Sequence, residues 1–148
     1  MNQPFFSILI LFWQSEPYLQ RCLQSLQAQT FQDFEVILLD NGASEPPDPA
    51  VLAILQKFLM KIIHSETNLG FAGGNNLAAK SASGEYLVLL NSDAFPEQDW
   101  LATLHQAALN HPGHCFASKL LQAADPTLLD GEWNVYHASG LAWRKNHN

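Results

Sequence analysis

The sequence predicts a three-layer α/β domain: a mostly parallel sheet with helices on both faces. Three observations carry this. Two near-continuous apolar runs of strand length, FSILILF and FEVILLD, read as strands buried on both faces. Segments of strand and helix character alternate four times with short connections, the order that gives parallel strands joined by right-handed crossovers. The 148 residues suit one domain, burying roughly 68–70% of the unfolded chain's surface.

The elements follow in order. The first strand, 6–12, leads into SEPYLQRCLQSLQAQ, where Ser15 is a candidate N-cap and Pro17 sits in the first turn. Leu19, Cys22, Leu23 and Leu26 recur there at helical spacing. The second strand covers 34–40. Prolines then open EPPDPAVLAILQKFLM, with Val51, Leu52, Leu55, Phe58 and Leu59 on one helical face. KIIHS at 61–65 is a shorter third strand, and GFAGGNNLAAKSA is a helix starting among its own glycines. EYLVLLN at 85–91 is the fourth strand, and 96–111 a helix with Pro96 near its start. HCFASKLL at 114–121 reads as a fifth strand, and the remainder is irregular and aromatic.

Composition narrows the function. Hydrophobic residues make up 47% of the chain and charged ones 14%, the balance of a packed domain. A net charge of −7, with no basic cluster beyond Arg144–Lys145, excludes nucleic-acid binding of the usual cationic kind. An acidic chain that takes a phosphorylated ligand needs helix N-termini or a metal cation to hold it. Cys22 and Cys115 match no metal-ligand spacing and read as free thiols in a reducing compartment. The longest apolar stretch, ILILFW, is too short to span a bilayer, and MNQPFF lacks a basic signal region. A cytoplasmic location is the expectation.

In an open parallel sheet, ligands bind outside the carboxyl ends of the strands. Those ends carry Trp13-Gln14-Ser15-Glu16, Asp40-Asn41-Gly42, Asn68-Leu69-Gly70-Phe71 and Asn91-Ser92-Asp93. Asp40 can accept hydrogen bonds from a base or ribose, although Asp-Asn-Gly is also a favourable turn. Gly70, Gly73 and Gly74 match neither a dinucleotide fingerprint nor a phosphate loop. Small residues there admit either a ligand or close helix packing. Asp93 ends an apolar strand, where an unpaired carboxylate is costly. A divalent cation shared with a diphosphate answers that cost, and capping of the helix near Pro96 competes with it. His105, His111 and His114 fall near a helix end, where protonated imidazoles favour the dipole.

SILILFWQSEPYLQRCLQSLQAQTFQDFEVILLDNGAS, followed by NLGFAGGNNLAAKSASGEYLVLLNSDAFPEQDWLATL, resembles the nucleotide-binding part of family 2 glycosyltransferases, in particular the rhamnosyltransferase-like branch. The likeness runs from about Phe6 to Leu104, with a weaker echo over 130–145. It implies a GT-A fold, with a Rossmann-like sheet that binds a nucleotide-diphosphate sugar together with Mg²⁺ or Mn²⁺. It implies that Phe12, Trp13 and Glu16 line the nucleoside pocket and that Asp40, beside Asn41, meets the base. Asn68, Gly70, Phe71, Gly74 and Asn75 would wall the ribose and diphosphate. Asn91, Ser92 and Asp93 stand where the family has its metal-binding D-x-D, with Asp93 as the metal ligand and Asn in place of the first acid.

The family's catalytic base lies in a later acidic motif, and Asp125, Asp130 and Glu132 do not sit in one. The catalytic residue is therefore unassigned, and the expectation is a single donor-binding domain over 1–148 without the acceptor part. The acceptor would be a glycan or lipid-linked hydroxyl, which brings peripheral membrane association into view. The aromatic tail, with Trp133, Tyr136 and Trp143, is a candidate surface for further chain or for a homodimer. Two other readings stay open. One is a non-catalytic binding or interaction module. The other is a nucleotidyltransferase-like enzyme, which would carry a basic glycine-rich loop after the first strand, and Trp13-Gln14-Ser15-Glu16 contains nothing of that kind.

Overall fold

A computed structural model describes residues 3–14, 16–130, 134–136 and 142–144, without side chains for Glu16 or beyond Asp130. Four strands, β1 (Phe6–Phe12), β2 (Phe34–Asn41), β3 (Leu59–Ser65) and β4 (Tyr86–Asn91), alternate with four helices. The helices are α1 (Glu16–Gln27), α2 (Pro49–Leu55), α3 (Gly70–Ala79) and α4 (Trp100–Asn110). The strands form one parallel sheet in the order β3-β2-β1-β4. Two short strands, β5 (Asn134–Tyr136) and β6 (Ala142–Arg144), pair antiparallel as a separate hairpin. The chain divides into a unit covering Met1–Asn110 and a second covering His111–Asn148.

β1 and β2 read as apolar runs because both of their faces are covered. Ile8, Ile10 and Phe12 of β1 join Val36 and Leu38 of β2 on one face. There they pack against Leu19, Cys22, Leu23 and Leu26 of α1, Val51, Ile54 and Leu55 of α2, and Leu101 of α4. Leu9, Ile37 and Leu39 point to the opposite face and meet Ala78 of α3. α3 approaches closely enough that a Cβ on Gly74 would come within 2.6 Å of Leu11 Cδ2. Gly74 thus serves the close helix packing that the sequence allowed for.

Polar ties fix how the elements meet. The buried Gln29 side chain accepts from Leu101 N–H at 2.9 Å and donates to the Glu97 carbonyl at 2.7 Å, joining the end of α1 to the start of α4. At the amino ends of the strands, Glu35 is fully buried. The Ser7 hydroxyl donates to its Oε1 at 2.6 Å, and the Ser83 N–H and hydroxyl each donate to the same oxygen at 2.7 Å. Among the described residues its Oε2 meets only the Lys61 ammonium, at 2.9 Å.

Three sequence expectations are corrected. Leu59 opens β3 instead of closing α2, which ends at Leu55. α4 begins at Trp100, four residues after Pro96, and the Asp99 carbonyl accepts from Thr103 N–H at 2.9 Å. Residues 114–120 form no strand; only Leu121 makes an isolated bridge, to Leu129. In the second unit Asp125 organises the turn between the two residues of that bridge, accepting from the Thr127 N–H and hydroxyl at 3.0 and 2.6 Å. Ser15, Trp133, His137 and His147 lie outside the described residues, as do the side chains of Glu16, Tyr136 and Trp143. Among the described residues no helix is long and apolar enough to cross a membrane.

Candidate active site

The strand order locates the site before any side chain is considered. From β1 the chain winds outward through β2 to β3, then returns to place β4 on the other side of β1. The connections after β1 and β4 therefore leave in opposite directions, and a crevice opens between them at the carboxyl ends. A cleft of about 420 Å³ lies there. It is lined by Trp13 and Gln14 after β1, Tyr18 on α1, Phe71 and Asn75 on α3, and Asn91, Ser92 and Asp93 after β4. Leu11 and Leu90 form its apolar floor.

Six residues expected at the site thus meet in one cleft: Trp13, Phe71, Asn75, Asn91, Ser92 and Asp93. Trp13, Tyr18 and Phe71 are between 50% and 60% exposed, an unusual display of large rings that offers π faces to a planar ligand. Asn75 is buried and steadied by donating to the Phe71 carbonyl at 2.9 Å. Gln14 belongs to the strand end that the sequence marks, whereas Tyr18 is the lining residue that sequence reasoning misses. No local pattern separates Tyr18 from the other residues of α1, and nothing local marks Gln14 as a residue with φ of 54°. A non-glycine side chain held in that region at a cleft wall is a strained feature of the kind found at binding sites.

Other expected residues stand elsewhere. Phe12 is 1% exposed and belongs to the core, so it does not line the cleft. Asp40, the penultimate residue of β2, stands one strand further along the rim, as the register partner of Phe12. Its Oδ1 accepts from Ala43 N–H at 2.9 Å and its Oδ2 lies 2.8 Å from His64 Nδ1. Asn41 joins the loops after β2 and β3: its amide donates to Asn68 Oδ1 at 3.1 Å and its Oδ1 accepts from Leu69 N–H at 3.0 Å. Asn68 in turn accepts from Gly70 N–H at 2.8 Å. Asn41 and Asn68 therefore set the start of α3, and through it the positions of Phe71 and Asn75. Gly70, with φ of 68°, makes the left-handed step into that helix.

Asp93 departs from expectation in one respect. It lies two residues beyond β4 and is exposed, so burial imposes no cost on its carboxylate. It does not cap α4 either, since that helix begins seven residues later. Beside it, Cys22 donates weakly to the Asn91 carbonyl, 3.7 Å away. Burial, and then the Asp93 charge, push the Cys22 thiol up to about 12, which keeps it an inert core group. Among the described residues no three His, Cys, Asp or Glu side chains gather as a metal cage. A single exposed carboxylate in a cleft fits instead a hard cation that draws its remaining ligands from phosphate oxygens and water.

The glycosyl transferase family 2 model matches residues 7–131. An uncharacterized glycosyltransferase of Haemophilus influenzae is 32% identical over 102 residues, which cover 68% of this chain and 41% of that protein. Glycosyltransferase GlyG of Streptococcus pneumoniae is 28% identical over 101 residues, covering 68% and 34% respectively. The chain thus spans well under half the length of these curated relatives. Among solved structures, residues 1–349 of Staphylococcus aureus TarS in complex with UDP superpose with a TM-score of 0.66 at 25% identity, covering 79% of this chain and 39% of that one. The mannosyltransferase PcManGT of Pyrobaculum calidifontis, in complex with GDP-Man and Mn²⁺, reaches a TM-score of 0.72 at 20% identity over 86% of this chain and 38% of that one, a likeness of fold. With a family match over most of its length and a sheet of the same GT-A architecture, the chain belongs to glycosyl transferase family 2.

Proposed function

We propose that the cleft between β1 and β4 binds a nucleotide-diphosphate sugar for inverting transfer of the sugar to an acceptor hydroxyl. One observation carries the reading: exposed aromatic rings from α1, α3 and the end of β1 share a cleft with the Asp93 carboxylate. The rings supply stacking surfaces for a base or sugar, and Asn75 and Asn91 supply polar edges. Asp93 would hold Mg²⁺ or Mn²⁺, and the ion would neutralise the diphosphate of an otherwise acidic protein. The amides at the start of α3 offer a second, dipolar contribution. Asp40 would accept from an N–H of the base at the adjoining strand end. The bound UDP of TarS and GDP-Man of PcManGT support the choice of ligand class. The sequence resemblance adds rhamnose as the sugar to try first.

A second reading, a non-catalytic donor-binding module, draws on one feature. Asp93 is the only carboxylate among the described residues lining the cleft. With that group on the metal, none there is left to deprotonate an acceptor.

Titration calorimetry with UDP-, dTDP- and GDP-sugars, with and without Mn²⁺, tests the binding. We expect metal-dependent binding of at least one donor. In Asp93→Ala we expect affinity to fall by about tenfold or more, equivalent to at least about 1.4 kcal/mol. Unchanged metal-dependent affinity in that variant would remove Asp93 from the site. Donor transfer to an added acceptor decides between the two readings: turnover sinks the binding-module alternative.

A further inference from the structure

We propose that His64 is a positioning residue for nucleobase recognition, holding the Asp40 carboxylate in the orientation that receives a base N–H. The inference rests on the donor-binding reading above and extends it to a residue outside the cleft.

Asp40 and His64 are register partners on β2 and β3. His64 Nδ1 stands 2.8 Å from Asp40 Oδ2, while the other carboxylate oxygen takes the Ala43 N–H at 2.9 Å. A carboxylate turns easily about its last torsion, and one donor leaves its plane loosely set. Two donors, one from the loop and one from the neighbouring strand, fix that plane. Each oxygen has two lone pairs, so one acceptor site per oxygen remains for a ligand. Asp40 is 6% exposed, so an incoming group meets it only along a narrow approach and its orientation decides whether that contact forms.

The exposure of the imidazole argues against a role in stability. The His64 side chain is 65% exposed, and a pair with one partner in solvent adds little to folding. What the ring adds is geometry. Because Nδ1 faces an acceptor, it carries the proton whether the imidazole is neutral or charged, so the clamp persists in both states.

The chemistry defines the ligand class. A fixed carboxylate acceptor favours bases that present a ring N–H, namely uracil, thymine and guanine. Cytosine and adenine offer a bare ring nitrogen on that edge.

The test is calorimetry in Mn²⁺ with UDP, dTDP, GDP, CDP, ADP and inorganic pyrophosphate, on the wild-type chain, His64→Ala and His64→Asn. The wild type is expected to bind one of UDP, dTDP or GDP more tightly than CDP and ADP. His64→Ala is expected to weaken that nucleotide about tenfold and narrow its margin over CDP and ADP, with pyrophosphate unaffected. His64→Asn, whose amide nitrogen takes the place of Nδ1, is expected to restore most of the loss. Unchanged nucleotide affinity in His64→Ala, a parallel loss of pyrophosphate, or no rescue by asparagine overturns the inference alone. A wild-type chain that binds none of the nucleotides overturns the donor-binding reading, and this inference with it.

Discussion

At the scale of single residues, Glu35 shows how a buried charge is kept ionised. Burial alone would raise its carboxyl, but hydrogen bonds from Ser7, Lys61 and Ser83 outweigh that and hold it down at about 2, against an ordinary 4.5. Because the folded value lies below the unfolded one, Glu35 contributes stability that is fully present above about pH 5 and is lost as pH falls toward 2. A fall from 4.5 to about 2 corresponds to about 3 kcal/mol. Urea unfolding between pH 7 and pH 3 should show this loss. Glu35→Gln should flatten the acid slope while lowering stability at neutral pH; a variant with the wild-type slope would show that other groups drive acid unfolding. Nothing local in the chain marks this cluster, since Ser7, Glu35, Lys61 and Ser83 come together only when three strands and a loop align. Asp93 was readable because a polar residue after an apolar run marks a strand end, whereas its exposure depends on the turn that follows.

At the scale of elements, β1 and β2 were legible almost to the residue. Strands covered on both faces must be apolar throughout, so their limits are written locally. Edge strands are not so constrained: β3 exposes Leu59 and Ile62 and β4 exposes Leu87 and Leu89, which blurs the distinction from helix. The 114–121 run has the composition of a strand, yet among the described residues only Leu121 of that run makes a β-bridge, to Leu129. The loops between elements carry a further prediction. Gly42 has φ of 76°, and a Cβ there would lie 2.6 Å from the Thr67 carbonyl carbon and 2.7 Å from Asn68 N. Gly70 has φ of 68° but open space around it. A left-handed alanine costs roughly 1–2 kcal/mol. A clash with backbone adds about 1–3 kcal/mol at Gly42 only, because no flexible side chain can yield. Denaturant midpoints should therefore fall well below wild type for Gly42→Ala and much less for Gly70→Ala. Equal losses would mean that the loop after β3 moves freely away from the loop after β2.

At the scale of the molecule, the site belongs to no single element. Its walls come from α1 on one face of the sheet, α3 on the other, and the ends of two strands between them. A ligand spanning this cleft stabilises the native arrangement of all four, because unfolding any of them dismantles the site. Linkage sets the size of the effect. A ligand at 100 times its Kd adds about 2.7 kcal/mol to the folded state. For a chain of 148 residues that is on the order of a 5–11 °C rise in Tm, given about 2–4 °C per kcal/mol. Scanning calorimetry with rising nucleotide at fixed Mn²⁺ should show Tm climbing with the logarithm of ligand concentration once the site is saturated. Asp93→Ala should shift that series to higher concentration without changing the ligand-free Tm by much, since its exposed carboxylate has no packing to lose. A Tm indifferent to saturating nucleotide would place binding outside the cooperative sheet, and the convergence of strand ends would then need another explanation.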